Sequence, residues 1–448
     1  MTAKPRAERP RAERPRAEKP SADTPSTEPR RAATRAVRPF TVAIPEADID
    51  DLAARLARTR WPDPETVGDW SQGVRLAHAQ RLVRHWADDY DWRRFETELN
   101  RLPQFLTEID GLDIHFIHVR SPHPDAMPLI LTHGWPSSFV DFLPLIGPLT
   151  DPVAHGGLAA DAFEVVIPSL PGFGFSDKPT APGWNVERIA AAWAELMRRL
   201  GYRRWTAHGG DWGAVVTTEL AKTHADGLLG VHLTTPYAFP EIVPSTPSSE
   251  ERHAIDTLAL YSGALGGSNH LQGTRPETPG FALADSPAGQ AAWIYDKFQS
   301  KTDNDGLAED AIQLDVILDT ISLYWFTNTA ASSARIYWEN RTATMAGPRL
   351  TLPVAVTVFP KDIPLLPRTW IEDAYADLIH YGEASGGGHF AALEQPMTLV
   401  DELRAGLRPL RSANATTAEQ ATESRPSVHP PSSPLRARTT PPRAAERD

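Results

Sequence analysis

Apolar positions in the first third of the chain change from a helical to an alternating period. Over residues 46–58, 74–87 and 92–102 they recur every three or four positions, which predicts three amphipathic helices. Over 105–117 the period falls to two and is broken at Asp110-Gly111, which predicts a hairpin of two strands.

The middle of the chain alternates between short apolar runs and helical patterns. The runs at 128–132, 163–167, 205–208 and 228–233 are typical of strands inside a parallel sheet, and a helix is predicted over 185–200. The alternation predicts a doubly wound α/β sheet.

Between residues 236 and 347 this alternation stops and helical patterns dominate, which predicts a helical cap. Strand character returns at 353–359, and a last helix is predicted over 396–410. The predicted core therefore has two parts, 121–235 and 348–411, separated by the cap.

Two tails flank these segments. Residues 1–36 are rich in Arg, Pro and Glu and, after Met1, have no aliphatic or aromatic side chain larger than alanine. Residues 412–448 are rich in Ser, Thr, Pro and Ala and have no aromatic residue. Neither tail has the composition of a packed core, so both are predicted to be disordered.

Composition narrows the function classes. The chain has 448 residues, 41% of them hydrophobic, a net charge of -12 and no cysteine. Disulfides and thiolate metal sites are excluded, and nucleic acid is not expected as the main partner. There is no apolar run of transmembrane length and no signal-peptide pattern, so a cytoplasmic location is expected.

The candidate chemistry centres on residues 208–213, His-Gly-Gly-Asp-Trp-Gly. They lie between a predicted strand and a predicted helix, the context of a nucleophile elbow. The usual elbow residue is serine, but here it is Asp211. A carboxylate that attacks a saturated carbon forms an alkyl ester, which an activated water can cleave at its carbonyl. Asp211 therefore predicts displacement on an epoxide or an alkyl halide.

Two partners are needed after the nucleophile, in the order acid and then histidine. His389 follows three glycines in the loop before the last helix, and Asp362 follows the strand at 353–359. Asp373 and Glu383 are the alternatives for the acid. The backbone N–H groups of Trp135, in His-Gly-Trp-Pro, and of Trp212 are the candidate oxyanion-hole donors.

Over residues 37–410, the chain resembles the epoxide hydrolases of the α/β-hydrolase fold. Within that family it is most similar to the microsomal and juvenile-hormone type, and the matching motifs occur in the same order. The resemblance rests on motifs at 70–74, 90–93, 98–100, 111–118, 133–136, 171–176, 208–213, 285–287, 291–293 and 388–392. It implies an α/β-hydrolase fold with a helical cap and an N-terminal helical extension at 37–120.

The same resemblance implies the roles of the site residues. Asp211 would be the nucleophile, and His389 the base that activates water. Asp362 would be the acid that orients the His389 imidazole. Tyr337 matches a cap tyrosine that protonates the epoxide oxygen. The second cap tyrosine of the family falls on Ser268, a departure from the pattern. Three explanations remain open: one tyrosine suffices, or Asn269, His270 or Tyr261 substitutes for the second, or the substrate is not an ordinary epoxide.

The expected activity is cofactor-independent hydrolysis of an epoxide to a vicinal diol, with no bound metal. A role in detoxification or in catabolism of aromatic hydrocarbons is expected, as is a homo-oligomer. Two alternatives remain open from the sequence. One is a haloalkane dehalogenase-like enzyme with the same triad, and the other is a catalytically weak small-molecule sensor on this scaffold.

Overall fold

The computed structural model describes residues 35–342 and 349–411. Its strands are β1 Arg38–Phe40, β2 Gln104–Ile109, β3 Leu112–Val119, β4 Met127–Thr132, β5 Phe163–Pro168, β6 Trp205–Gly209, β7 Leu228–Leu233, β8 Val354–Val358 and β9 Leu378–Glu383. The helices up to β7 are α1 Glu46–Leu56, α2 Leu76–Asp88, α3 Trp92–Leu99, α4 Leu143–Thr150, α5 Val186–Arg199 and α6 Trp212–Lys222. Those that follow are α7 Ser249–Ser262, α8 Gly267–Thr274, α9 Glu277–Asp285, α10 Pro287–Lys301, α11 Leu314–Thr327, α12 Ala330–Glu339, α13 Arg368–Ala374, α14 Ala391–Glu394 and α15 Pro396–Leu407.

The nine strands form one mixed sheet in the order β1-β2-β3-β5-β4-β6-β7-β8-β9. The pairs from β1 to β5 are antiparallel, and those from β5 through β4 to β9 are parallel. The predicted α/β sheet is confirmed. Because β4, β6, β7 and β8 run parallel, the loops at their carboxyl ends meet at one edge, where ligand sites of such sheets lie.

Helices cover both faces of the sheet. On one face Trp193 of α5 and Leu220 of α6 belong to the larger apolar cluster, and on the other Leu145 of α4 and Leu403 of α15 belong to a second cluster. All four side chains are at most 1% exposed. Burying each such side chain stabilises the fold by about 1.5–3 kcal/mol. The strand ends that carry the polar loops are therefore held rigidly from both sides.

The N-terminal segment connects the sheet with the helices that follow β7. β1 extends the sheet by pairing with β2. The phenol of Tyr90 donates to Asp319 of α11 at 2.8 Å, and Arg94 pairs with the same carboxylate oxygen at 2.8 Å. Trp86 donates its indole N–H to Ser322 at 2.9 Å. Burial raises the pKa of Asp319 to about 7, against the opposing effects of Tyr90 and Arg94.

Several element boundaries differ from the predicted ones. The helix predicted over 92–102 ends at Leu99, where the chain turns through Asn100 into β2. β1 was not predicted, because three residues carry no usable period. Both predicted tails lie outside the described residues. Within the described ranges, no helix has the length and apolar character needed to cross a bilayer.

Candidate active site

The chain turns sharply between β6 and α6, and Asp211 stands at the turn. Its backbone has φ 49° and ψ -129°, a strained combination for a residue with a side chain. A Cβ atom on Gly213 would lie 1.8 Å from the carbonyl oxygen of Thr132, and one on Gly209 would lie 2.1 Å from that of Gly213. Only glycine permits this close approach, and the result is a carboxylate raised above the sheet edge.

The two oxygens of Asp211 have different partners. Oδ1 accepts a hydrogen bond from the Trp135 N–H at 2.8 Å, while Oδ2 lies 3.3 Å from Nε2 of His389. Gly134 makes room for this arrangement, since a Cβ atom there would lie 2.2 Å from Oδ1. The loop after β4 therefore holds one carboxylate oxygen and leaves the other facing the imidazole.

His389 lies between two carboxylates. Its Nδ1 is 2.7 Å from Oδ1 of Asp362, which is 5% exposed. The alternatives Asp373 and Glu383 are exposed. The other Asp362 oxygen accepts from the Thr235 hydroxyl at 3.1 Å, and that hydroxyl accepts from the Asp211 N–H at 3.4 Å. Sequence reasoning missed Thr235, because a single hydroxyl just after a strand does not by itself indicate a site residue.

The loop that carries His389 is fixed by its backbone. The His389 N–H donates to the carbonyl oxygen of Lys301 at 2.9 Å. The Glu394 carboxylate accepts from the N–H groups of Gly388 and Phe390, each at 2.9 Å. The glycines before His389 thus allow close packing, and the imidazole is held in place on both sides.

Asp211 and His389 shift each other's pKa values. Burial acts to raise the pKa of Asp211, but the hydrogen bond and charge of His389, with help from Lys301 and the Trp135 N–H, lower it to about 2. Burial and the Lys301 charge act to lower the pKa of His389, but Asp362 and Asp211 outweigh them and raise it to about 9. At neutral pH the resting site therefore holds an imidazolium between two carboxylates.

The raised pKa of His389 predicts a pH-dependent stability. An unfolded histidine titrates near pH 6.5. The stabilisation from protonated His389 is therefore complete below about pH 6.5 and is lost as the pH rises through about 9. In thermal melts between pH 6 and 9.5, the melting temperature of the wild type should fall more steeply than that of His389→Gln. Replacing the exposed His253 by Gln is the control and should leave the slope unchanged.

Aromatic side chains lie above the Asp211 carboxylate. The Tyr337 ring of α12 packs edge-on against Trp135 and Trp212, with ring centroids 5.8 Å and 4.9 Å away. Burial and then the nearby charge of Asp211 raise the pKa of Tyr337 well above its usual value, and a hydrogen bond with the Trp212 side chain opposes this. The Tyr337 phenol therefore stays neutral beside the Asp211 carboxylate.

A second phenol, Tyr261 of α7, also interacts with the charge of Asp211, as do Tyr237 and Tyr324. Burial and the charges of Asp211 and Asp362 raise its pKa, and a hydrogen bond with the Asn269 side chain opposes this. Tyr261 and Tyr337 also interact electrostatically with each other. Tyr261 comes from the helix before the segment in which the family pattern expects its second tyrosine.

The other three residues considered for the second donor, Ser268, Asn269 and His270, differ in environment. Ser268 is 7% exposed, and its hydroxyl has no hydrogen-bond partner among the described residues. Asn269 is half-buried and contacts Tyr261, and His270 is exposed. Of the four candidates, Tyr261 is the one that places a phenol near Asp211.

A cavity of about 30 Å³ lies on the core side of the triad, lined by Asp211, His389, His133, His208 and Asp141 among others. This volume accommodates one or two waters. Burial raises the pKa of Asp141 to about 7, and its Oδ1 has no hydrogen-bond partner in the described part of the chain. Across the same residues, no group of three or more His, Asp or Glu side chains could hold a metal ion.

Comparisons with known proteins identify the family. The family described as the epoxide hydrolase N terminus matches residues 37–142, and the α/β hydrolase fold matches residues 127–277. A putative epoxide hydrolase from Stigmatella aurantiaca is 56% identical over 84% of this chain and 86% of its own length. The chain belongs to the epoxide hydrolase family.

More distant members of the family cover a similar span. A protein from Sus scrofa named epoxide hydrolase 1 is 34% identical over 84% of this chain and 90% of its own. A juvenile hormone epoxide hydrolase from Ctenocephalides felis is 30% identical over 86% of this chain and 88% of its own length. The resemblance predicted from the motifs is confirmed.

Solved structures give the same result for the fold. The Aspergillus niger epoxide hydrolase has a TM-score of 0.75 and 31% identity, covering 84% of this chain and 97% of its own. The juvenile hormone epoxide hydrolase of Bombyx mori has a TM-score of 0.74 and 28% identity, and the match covers 84% of this chain and 95% of its own. The predicted α/β-hydrolase fold is confirmed, and the chain is a hydrolase of this family.

Proposed function

We propose that this protein hydrolyses an epoxide to a vicinal diol through a covalent ester on Asp211. The observation that carries the proposal is the asymmetric environment of the Asp211 carboxylate. Trp135 holds Oδ1, whereas Oδ2 faces His389 beneath the two phenols. An ester formed at Oδ2 would keep Oδ1 as its carbonyl oxygen, already bound in an oxyanion hole.

In the first half-reaction Oδ2 of Asp211 forms a bond to one ring carbon. The bond from that carbon to the ring oxygen breaks, and its electron pair stays on the oxygen. An alkoxide is a poor leaving group, so the oxygen needs a proton. Tyr337 and Tyr261 donate hydrogen bonds to it, and one of them transfers its proton. The lowered pKa of Asp211 keeps the nucleophile ionised at neutral pH without a base.

The second half-reaction follows from the loss of one negative charge. Once Asp211 is an ester, His389 keeps only Asp362 as a carboxylate neighbour, so its pKa falls and it releases its proton. Neutral His389 takes a proton from a water, and the hydroxide adds to the ester carbonyl carbon. The N–H groups of Trp135 and Trp212 stabilise the oxyanion. When the intermediate collapses, the bond from the carbonyl carbon to the substrate oxygen breaks, that oxygen takes its electron pair and the proton held by His389, and the diol leaves with the Asp211 carboxylate restored. The cavity beside the triad has room for this water.

Two phenols above the nucleophile favour an epoxide over an alkyl halide. A halide leaves as an anion without a proton, whereas the oxygen of an opened epoxide remains attached to the product and requires one. Turnover of an epoxide also separates the enzyme from a sensor on the same scaffold. A cytoplasmic role in detoxification or aromatic hydrocarbon catabolism, and a homo-oligomer, remain predictions.

Isotope incorporation tests the ester. A single turnover in ¹⁸O water should place the label in Asp211 and leave the diol unlabelled, because water attacks the enzyme's carbonyl carbon and not the substrate. Peptide mass spectrometry locates the label, and gas chromatography with mass detection checks the diol. The Asp362 peptide is the internal control and should stay unlabelled. Label in the diol after one turnover means direct attack by water and rejects the covalent scheme.

A further inference from the structure

Lys301 is a buried cation at the edge of the active site. It is the last residue of α10 and is 7% exposed. Its carbonyl oxygen accepts from the His389 N–H at 2.9 Å, and a Cβ atom on Gly388 would lie 2.5 Å from that oxygen. The backbone of Lys301 is therefore locked to the loop that carries the catalytic histidine.

The Lys301 ammonium group lies over an aromatic ring. Nζ is 5.2 Å from the ring centroid of Tyr261, the second phenol above Asp211. Lys297, one turn earlier on α10, is also 7% exposed, but it pairs with Asp296 at 2.7 Å. No carboxylate lies within 4 Å of Nζ of Lys301 in residues 35–342 and 349–411.

A buried ammonium without a paired carboxylate is costly, so its environment calls for an explanation. Its charge lowers the pKa values of both Asp211 and His389, which indicates that it acts within the reaction site. A negative charge that forms on Tyr261 during the reaction would be shared by a ring whose centroid lies 5.2 Å from this ammonium. The cation would then gain its partner at that step and not in the resting enzyme.

We propose that Lys301 makes Tyr261 the phenol that gives up its proton when the epoxide opens. The inference rests on the proposed function. As Asp211 bonds to the ring carbon, the ring oxygen receives the broken bond's electron pair and takes the proton of the Tyr261 O–H. The phenolate left on Tyr261 is stabilised by the Lys301 ammonium and regains a proton from solvent before the next turnover. Lys301 is thus a positioning residue, since it acts through Tyr261.

The environment of Tyr337 assigns it the other role. It packs against two indoles, Trp135 and Trp212, and no lysine or arginine lies over its ring in the part of the chain that the structure describes. A phenolate there would face the Asp211 site without a compensating cation. Tyr337 therefore donates a hydrogen bond to the ring oxygen and keeps its proton.

The test measures ester formation alone, in the His389→Gln background, by quenched flow and intact mass. The substrates are 1,2-epoxybutane and epichlorohydrin, which release a more basic and a less basic alkoxide. Lys301→Met should slow alkylation by 1,2-epoxybutane on the order of tenfold to thirtyfold. It should slow alkylation by epichlorohydrin much less, because that oxygen needs the proton less. A loss of packing would slow both equally.

Three controls isolate the charge. Lys301→Arg should keep the rate within about threefold because it retains a cation over the ring. Lys297→Met removes an equally buried lysine from the same helix and should have no effect. Lys301→Met should cost nothing further once Tyr261→Phe is present, because the residue acts through that phenol. If Lys301→Met does not fold, Lys301→Gln replaces it in every comparison.

Each outcome is decisive. The inference would be overturned if the losses of alkylation rate from Lys301→Met and Tyr261→Phe multiplied in the double variant. It would also be overturned if Lys301→Met slowed alkylation by both epoxides equally. A loss confined to the anionic substrate 3-phenylglycidate would overturn it too, because Lys301 would then bind the substrate's carboxylate. If no epoxide forms an ester in the His389→Gln protein, the proposed function itself fails, and the two failures are therefore distinct.

Discussion

His389→Gln should form the ester on Asp211 and then stop. Alkylation needs an ionised carboxylate and a proton donor above it. His389→Gln removes the charge that most lowers the pKa of Asp211 but leaves the Lys301 charge and the Trp135 N–H, so alkylation should continue at a reduced rate. Hydrolysis of the ester needs a base, and the imidazole that Asp362 orients at 2.7 Å is the group in position. Steady-state turnover should fall on the order of 10⁴-fold, while the first equivalent of epoxide is still consumed.

Intact-protein mass spectrometry checks this result. The protein should gain the mass of one substrate molecule, and the modified peptide should contain Asp211. Asp211→Asn is the paired variant and should gain no mass, since the amide is a poor nucleophile. His380→Gln is a matched control, because His380 lies outside the triad and bonds to Glu402 at 2.7 Å. Full turnover without an adduct in His389→Gln would exclude His389 as the base for ester hydrolysis.

Removing both phenols should nearly abolish alkylation. One phenol acts as the general acid, which contributes on the order of 10²–10⁴-fold, and the other donates a hydrogen bond to the ring oxygen. Tyr261→Phe should therefore cost at least about 10²-fold, and Tyr337→Phe about tenfold to 10²-fold. The double variant should lose on the order of 10⁴-fold. In the His389→Gln background the loss appears as slow adduct formation, which places it on ring opening. The neutral state of both phenols, which burial and the Asp211 charge enforce, is the physical basis.

The matched control for the phenols is Tyr324→Phe. Tyr324 is buried like Tyr337, but its hydroxyl donates to the Ser137 carbonyl oxygen at 3.0 Å. Its loss should change the melting temperature more than the alkylation rate. If Tyr261→Phe keeps full activity and Ser268→Ala loses it, the second donor lies at the family's usual position after all.

The sequence was sufficient to predict the elbow and its surroundings. Gly209 and Gly213 mark a turn that only small residues permit, and the strand periods on either side predicted the parallel sheet. Asp362 and His389 were found because parallel strands bring the ends of their loops to one edge.

What the sequence could not provide is contact between distant helices. Tyr261 and Lys301 lie 40 positions apart in a region without strands, so no period links them. Their proximity depends on how α7 and α10 pack, which side-chain patterns do not specify. Thr235 was missed for a different reason, because a single hydroxyl after a strand is common and becomes informative only when its partners are known.

The N-terminal segment has a further consequence for how substrate enters. It adds a strand to the sheet and also contacts α9 and α11, with Arg55 bonding to Asp285 at 3.1 Å and Trp86 to Ser322 at 2.9 Å. Moving α11 away from the N-terminal segment would break the buried Trp86–Ser322 bond. We therefore expect epoxide and diol to pass by small side-chain movements, so that passage and not chemistry limits bulky substrates.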